Sequence, residues 1–477
     1  MLFSSMLFIW IFLPIVLLTN FILGRLPLKY KQRIKLKNRF LLAASLVFYA
    51  WGGLYYLALM IAVIAINYFG GLWLQEIKVK RNKAWTLVLI LATNLGLLFY
   101  FKYFNLVVST IEAIRKMEAG GLGLKEVVLP IGISFYIFQA MSYVIDLYLG
   151  KTEVQRNVFD FGLYVALFPQ LIAGPIVQYK DIERQLYHRK GNPEMVAEGI
   201  KRFCYGLAKK VIIANILGET VDRIWESNLT RVGIGTALLA TVAYTLQIYY
   251  DFSGYSDMAI GLGKMLGFSF KENFNLPYLS TSIREFWRRW HISLSSWFRE
   301  YVYIPLGGSR AGAFRTYLNL FIVFLLTGIW HGANYTFFFW GMYYALFIIL
   351  ERAFYGKFLE KHRWFGHIYA ILIVSVGWIF FRADSFTDAL TFLKGFVRFK
   401  AETYSYLQFV SFKTFMALIL GILLCGPVQT WVGKFYEKVK TKALFQFGDV
   451  LVQMALLLVC ICALTKGTYN PFIYFQF

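Results

Sequence analysis

Two histidines and the polar groups around them interrupt an otherwise apolar chain. Residues 282–334 read SIREFWRRWHISLSSWFREYVYIPLGGSRAGAFRTYLNLFIVFLLTGIWHGAN and gather His291, His331, Asn334 and a run of arginines. A membrane protein keeps such groups where they work or are paired. His331 lies in Gly328-Ile-Trp-His-Gly-Ala-Asn334, flanked by two glycines. Buried there, its imidazole would stay neutral near pH 7 and take a proton as a general base, with Asn334 a candidate donor to a developing oxyanion. The competing reading is a packed core histidine that donates one hydrogen bond. A metal site is not expected, because neither histidine has a cysteine or a second histidine at ligand spacing.

The stretch 282–298 reads as an amphipathic helix opened by a Ser282–Glu285 capping box and closed before Pro305. Ile283, Trp287, Trp290, Leu294 and Trp297 recur on one face. Arg284, Arg288, His291 and Ser295 share the other, with Arg289 beside them. Such a helix would lie along a membrane surface. Its basic face suits either anionic lipid headgroups or a phosphorylated cytosolic donor, since guanidinium forks match phosphate oxygens.

The apolar run 317–350 is too long for one crossing and is predicted to form two limbs broken at 328–334. Basic residues at both outer ends, from Arg299 to Arg315 and from Arg352 to Arg363, put those ends on the cytoplasmic side. Limbs of about 15 residues rise about 23 Å, less than the roughly 30 Å hydrocarbon core, so His331 is expected inside the membrane.

Composition agrees with that setting. A mean hydropathy of +0.56, with 58% hydrophobic and 19% aromatic residues, excludes a soluble globular domain. The formal charge of +23 comes from lysines and arginines clustered at the ends of apolar runs, which points to topology rather than nucleic acid. The four cysteines lack the spacing of a zinc site or a disulfide framework. Gly261-Leu-Gly-Lys-Met-Leu-Gly267 follows no strand and is discarded as a dinucleotide signal. His188, His362 and His367 read as solvated.

Taken in order, the chain predicts an all-α polytopic membrane protein of about 11–12 spans with re-entrant and interfacial helices. Residues 1–477 form a single domain with a central region at about 245–350. A hairpin turns near Trp51-Gly-Gly53 between two basic loops. The segment 158–177, with Phe168-Pro-Gln170 and Gly174-Pro175, reads as re-entrant. Residues 232–250 and 252–268 read as an out-and-back pair. Asp251 and Asp257 between them are either functional or paired with arginine. Both termini fall outside, including the tail 467–477.

The chain resembles a bacterial membrane-bound O-acyltransferase of the alginate O-acetyltransferase type, nearly end to end. The resemblance rests on Gln247-Ile-Tyr-Tyr-Asp-Phe-Ser-Gly-Tyr-Ser-Asp257, Phe286-Trp-Arg-Arg-Trp-His-Ile-Ser-Leu294, Tyr303-Ile-Pro-Leu-Gly-Gly-Ser309 and Thr327-Gly-Ile-Trp-His-Gly-Ala-Asn334. It implies that His331 is catalytic and His291 its supporting polar residue. It implies acetyl-CoA as the cytosolic donor, with no permanently bound cofactor, and a bacterial inner-membrane location. It further implies a separate extracytoplasmic SGNH-type esterase or transferase as partner and a cell-surface polysaccharide as acceptor: alginate-like, peptidoglycan or cellulose. The last six residues, Phe472-Ile-Tyr474-Phe-Gln-Phe477, are similar to the C-terminus of the small teichoic-acid D-alanylation peptide. That implies Tyr474 as an acyl relay; an aromatic anchor at the interface is the other reading. Outside the family, broken helices and buried polar groups also suit a transporter or polysaccharide conduit.

Overall fold

The computed structural model describes residues 1–473 apart from Ala119, Lys190, Ala311, residues 400–402 and Thr468. Its described residues form helices and connecting loops, with no strand among them. Seven helices are long and apolar enough to cross a membrane: Phe8–Arg25, Leu54–Glu76, Lys80–Ile114, Gly312–His331, Tyr335–Lys361, Arg363–Arg382 and Leu444–Lys466. An eighth candidate is the pair Phe412–Leu424 and Pro427–Val439, bent by 66°. Pro427 begins its second limb, where a missing backbone N–H costs least. Others of the expected crossings are helices too short or too polar at one end to qualify, such as Ile133–Tyr148 and Tyr30–Ala50. The architecture is that of a multi-pass membrane protein.

The chain divides into two compact units, Met1–Ile200 with Ala259–Lys271, and Lys201–Met258 with Glu272–Phe477. It passes from one to the other three times, so the division is not a boundary between consecutive domains.

In the first unit the expected hairpin is present. Helices Tyr30–Ala50 and Leu54–Glu76 flank a turn at 51–53, and Gly53 takes φ +133°, open to glycine at little cost. The expected re-entrant piece is two short helices, Val158–Ala166 and Phe168–Leu171, broken ahead of Pro169. It is buried from Asp160 through Tyr179.

Two expectations are corrected. Residues 232–268 are not an out-and-back pair, because Ile234–Met265 is one continuous helix. No proline interrupts it, and Gly254 serves packing rather than a break. A Cβ at Gly254 would lie 2.7 Å from the Gly206 carbonyl oxygen, and one at Gly206 would lie 2.6 Å from that of Gly254.

The amphipathic helix 282–298 is broken in the middle. Helices Ile283–Arg289 and Ile292–Phe298 are separated at Trp290–His291, and His291 takes φ 42°, ψ 55°. The left-handed residue turns the second piece, so the basic face does not continue past Arg288. The apolar residues Ile283, Trp287, Trp290, Leu294 and Trp297 are buried within the protein, which leaves this element no apolar stripe for lipid. Its start is as predicted, with Ser282 Oγ accepting from Glu285 N at 3.1 Å.

The central hairpin breaks where predicted, but its limbs are longer than the expected length of about 15 residues, since Gly312–His331 and Tyr335–Lys361 are each long enough to cross a membrane. Helix Gly312–His331 ends at the histidine and helix Tyr335–Leu350 begins after a three-residue turn. Gly328 and Gly341 let the limbs touch: a Cβ on Gly328 would lie 2.4 Å from the Phe337 carbonyl oxygen, and one on Gly341 2.4 Å from that of Phe324. Small residues at such crossings gain close backbone packing where no hydrophobic drive exists between helices.

Candidate active site

The hairpin vertex sets His331 at the last position of its helix, 3% exposed. Three aromatic rings pack edge-on to the imidazole: Trp330 at 5.1 Å, Trp340 at 4.9 Å and Phe381 at 5.3 Å between centroids. The same Trp330 ring lies 6.1 Å from His291, so one indole joins the two histidines. Trp340 also stacks 6.1 Å from Trp378. Trp378 in turn lines a narrow crevice together with Trp225, Thr241, Tyr244 and Ser375. Thr241 Oγ1 and Tyr244 Oη are buried with no hydrogen-bond partner among the described residues.

His291 is completely buried. Its Nδ1 lies 3.2 Å from Asn273 Oδ1, and Phe252 stands edge-on at 4.6 Å. Asn273 Oδ1 also accepts from Ser293 N at 3.1 Å, while Asn273 Nδ2 donates to Ser256 Oγ at 3.1 Å. Since the backbone N–H identifies Oδ1 as the acceptor, Nδ1 carries the proton and the lone pair is on Nε2. Burial pushes the imidazole down to about 3, which corrects the picture of His291 as a cationic member of a phosphate-facing surface.

The arginines behave differently from the histidines. Arg284 sits 3.5 Å from Glu351 and 3.7 Å from Glu360. Glu351 also accepts from Ile283 N and Arg284 N at 2.5 and 3.1 Å, so it caps the helix while holding the guanidinium. Arg289 is committed to Glu285 at 2.9 Å and to the Asn275 carbonyl. Arg288 is exposed and keeps no ion pair among the described residues. Ser295 is half-buried, past the break and off the arginine face. Asn334 caps the second limb, accepting from Thr336 N at 3.1 Å, and its Nδ2 donates to the Asp384 carbonyl at 2.7 Å. With both ends of its amide engaged, it reads as a structural cap rather than an oxyanion donor. His367, predicted solvated, has Nδ1 3.1 Å from the Ser280 carbonyl oxygen.

Sequence reasoning missed how the C-terminal tail is held. The Asp251 carboxylate pairs with Lys210 Nζ at 2.5 Å, their side chains 2% and 4% exposed. Each partner also holds tail backbone: Asp251 Oδ2 accepts from Ile473 N at 2.9 Å, and Lys210 Nζ donates to the Pro471 carbonyl. Phe472 stacks on Tyr255 at 4.7 Å. Tyr469 Oη donates to Asp222 at 2.5 Å, and Arg382 binds the same carboxylate at 3.0 Å. Tyr474 lies outside the described residues. Asp257 pairs with Arg202 at 2.8 Å and Lys209 at 2.6 Å. Asp257 thus has the expected arginine partner, whereas Asp251 pairs with a lysine instead.

The model of the membrane-bound O-acyltransferase family matches residues 151–383, a range that holds both histidines. A probable alginate O-acetylase of Pseudomonas putida is 40% identical over the whole of both chains. The chain belongs to the membrane-bound O-acyltransferase family. A probable alginate O-acetylase of Pseudomonas aeruginosa is 44% identical over 81% of this chain and 72% of its own. A peptidoglycan O-acetyltransferase of Helicobacter pylori is 35% identical over 83% and 80%.

This O-acyltransferase carries one histidine at its hairpin vertex and a second kept neutral beside the same indole. The second makes a pH prediction. Because the folded imidazole sits near 3 rather than the ordinary 6.5, the unfolded chain binds its proton first as pH falls. His291 thus contributes stability that is complete above about 6.5 and drains away towards pH 3. By pH 5 the loss is about 2 kcal/mol, at about 1.4 kcal/mol per pH unit. Thermal unfolding of detergent-purified protein between pH 7.5 and 5 should show that extra sensitivity in the native chain and not in His291→Asn, whose amide nitrogen replaces Nδ1. Parallel curves for the two would place the native imidazole near its ordinary value.

Proposed function

We propose that this acyltransferase takes acetyl from cytosolic acetyl-CoA and passes it across a bacterial inner membrane for O-acetylation of an extracytoplasmic polysaccharide. The observation that carries the reading is His331, buried at the vertex of a hairpin inside an aromatic enclosure. End-to-end likeness to a probable alginate O-acetylase favours an alginate-like polymer, and the peptidoglycan O-acetyltransferase keeps peptidoglycan as the second candidate.

In this reading His331 accepts the proton of an acceptor hydroxyl as its oxygen attacks the thioester carbonyl. The tetrahedral oxyanion collapses with cleavage of the C–S bond, and the thiolate takes up the proton from the imidazolium, leaving free CoA and a new ester. A dry enclosure suits this chemistry because proton transfer and orientation act without competition from water. His291 supports the arrangement by fixing Trp330 rather than by touching the donor.

The acceptor is either the phenol of Tyr474 or a hydroxyl of a separate extracytoplasmic protein of the SGNH type. The tail supports the first, since the segment immediately before Tyr474 is drawn onto Asp251 and Lys210 in the interior of its unit rather than left at the surface. In a two-step route the phenol oxygen takes the acetyl group, and a second hydroxyl then displaces it.

The test is incubation of detergent-purified protein with radiolabelled acetyl-CoA, with and without the co-purifying extracytoplasmic partner. Label should move to the partner or to added polysaccharide in the native chain, and Tyr474→Phe should block transfer while leaving folding unchanged. Full transfer by Tyr474→Phe removes the relay. No thioester cleavage with partner and polymer both present removes acetyl-CoA as the donor.

A further inference from the structure

The first unit holds a cluster of cations that acyl transfer does not use. Arg189 is 4% exposed, and its guanidinium lies over the Phe268 ring, 4.1 Å from the centroid. Its Nη2 donates to Asn38 Oδ1 at 2.6 Å. The Asn38 amide nitrogen in turn donates to Asp160 Oδ1 at 2.8 Å and to the Leu186 carbonyl at 2.9 Å. Its other donors, Nε and Nη1, are buried with no hydrogen-bond partner among the described residues.

Arg33 repeats the pattern on the neighbouring helix. Its Nη1 donates to the Gly24 carbonyl at 3.1 Å, while its Nε is buried and has no hydrogen-bond partner among the described residues. Lys37 Nζ reaches the same glycine, 3.9 Å from where a Cβ would stand. Burial first, then the charges of Arg189 and Arg33, push the Lys37 ammonium down to about 8. Three cations thus converge, and the carboxylate acting on Arg189, Asp160, is already engaged by Asn38.

An arrangement of like charges with unfilled, desolvated N–H groups is costly until an anion completes it. Planar guanidinium forks flanked by an ammonium match a tetrahedral oxyanion carrying several acceptors. We propose that Arg33, Lys37 and Arg189 form a binding site for a phosphate group. The site stands at the basic end of the candidate span Phe8–Arg25, whose Trp10, Ile15, Leu18 and Phe21 are exposed. On a lipid-facing helix that end is where headgroups gather, so the phosphate of an anionic phospholipid is the favoured source. A soluble phosphate ester is the other. The site is independent of which acceptor the acyltransferase serves.

The test uses the full chain, delipidated in neutral detergent, and follows its unfolding temperature. Phosphatidylglycerol should raise the midpoint by about 2 °C or more through preferential binding to the folded state, and diacylglycerol of the same chains should not. Lys37→Gln and Arg33→Gln, both half-buried positions, should lose the shift. Arg189→Gln should lose it too; if that variant does not fold, the other two decide. A shift produced by inorganic phosphate or CoA but not by the lipid keeps the site and assigns it a soluble ligand. An equal shift from diacylglycerol, or undiminished shifts in both Lys37→Gln and Arg33→Gln, overturns the proposal.

Discussion

Replacing His331 with alanine should lower acyl transfer by about two to four orders of magnitude, the range a positioned general base contributes, in protein that still inserts. Alanine alone does not separate chemistry from packing. It removes the imidazole that Trp330, Trp340 and Phe381 enclose, and truncating a buried ring also costs stability through the cavity left behind. His331→Phe refills the enclosure with a ring that cannot accept a proton. A proton-accepting role therefore predicts that alanine and phenylalanine variants are equally inactive, with the phenylalanine variant recovering most of the lost thermal stability. A packing role predicts that phenylalanine restores activity along with stability. The measurement is acetyl incorporation into polymer set beside the unfolding temperature of each variant. Native-like transfer by His331→Phe would end the base assignment.

How far the sequence led depends on which forces act locally. The vertex at His331 was legible because glycines, a long apolar run and basic flanks all act within a few dozen residues. The capping box at Ser282 was legible for the same reason, and so was the hairpin at Trp51–Gly53. The kink at His291 was not, because the helical period carries straight through 282–298. What breaks it is Asn273, which accepts from Ser293 N and faces His291 Nδ1 from a loop that no periodicity connects to it. The continuous helix Ile234–Met265 was misread for the opposite reason. Polar residues at Tyr249–Asp257 suggested a boundary, yet Lys210 and Lys209 compensate them from another helix. Of the site itself, the histidines were readable as interruptions in an apolar chain. The aromatic enclosure was not, since a chain so rich in aromatic residues gives no hint which rings meet.

The tail gives the second large effect. Lys210→Met should cost about 3–5 kcal/mol, the penalty for leaving a buried charge without its partner, because Asp251 is 2% exposed and pairs with Lys210 at 2.5 Å. Replacing both residues, as Lys210→Met with Asp251→Leu, removes the stranded charge and should return much of that stability. It should not return function if the pair acts by positioning. The double variant still lacks the acceptor for Ile473 N and the donor to the Pro471 carbonyl, so the segment leading to Tyr474 is no longer drawn inward. Stability and acyl transfer should therefore part company: the single variant low in both, the double variant near native in unfolding temperature and still impaired in transfer. Carboxypeptidase digestion supplies an independent readout, since a released C-terminus is trimmed faster than a held one. A double variant that is stable, rapidly trimmed and fully active would mean that the ion pair serves the fold alone and that acyl transfer does not pass through the tail.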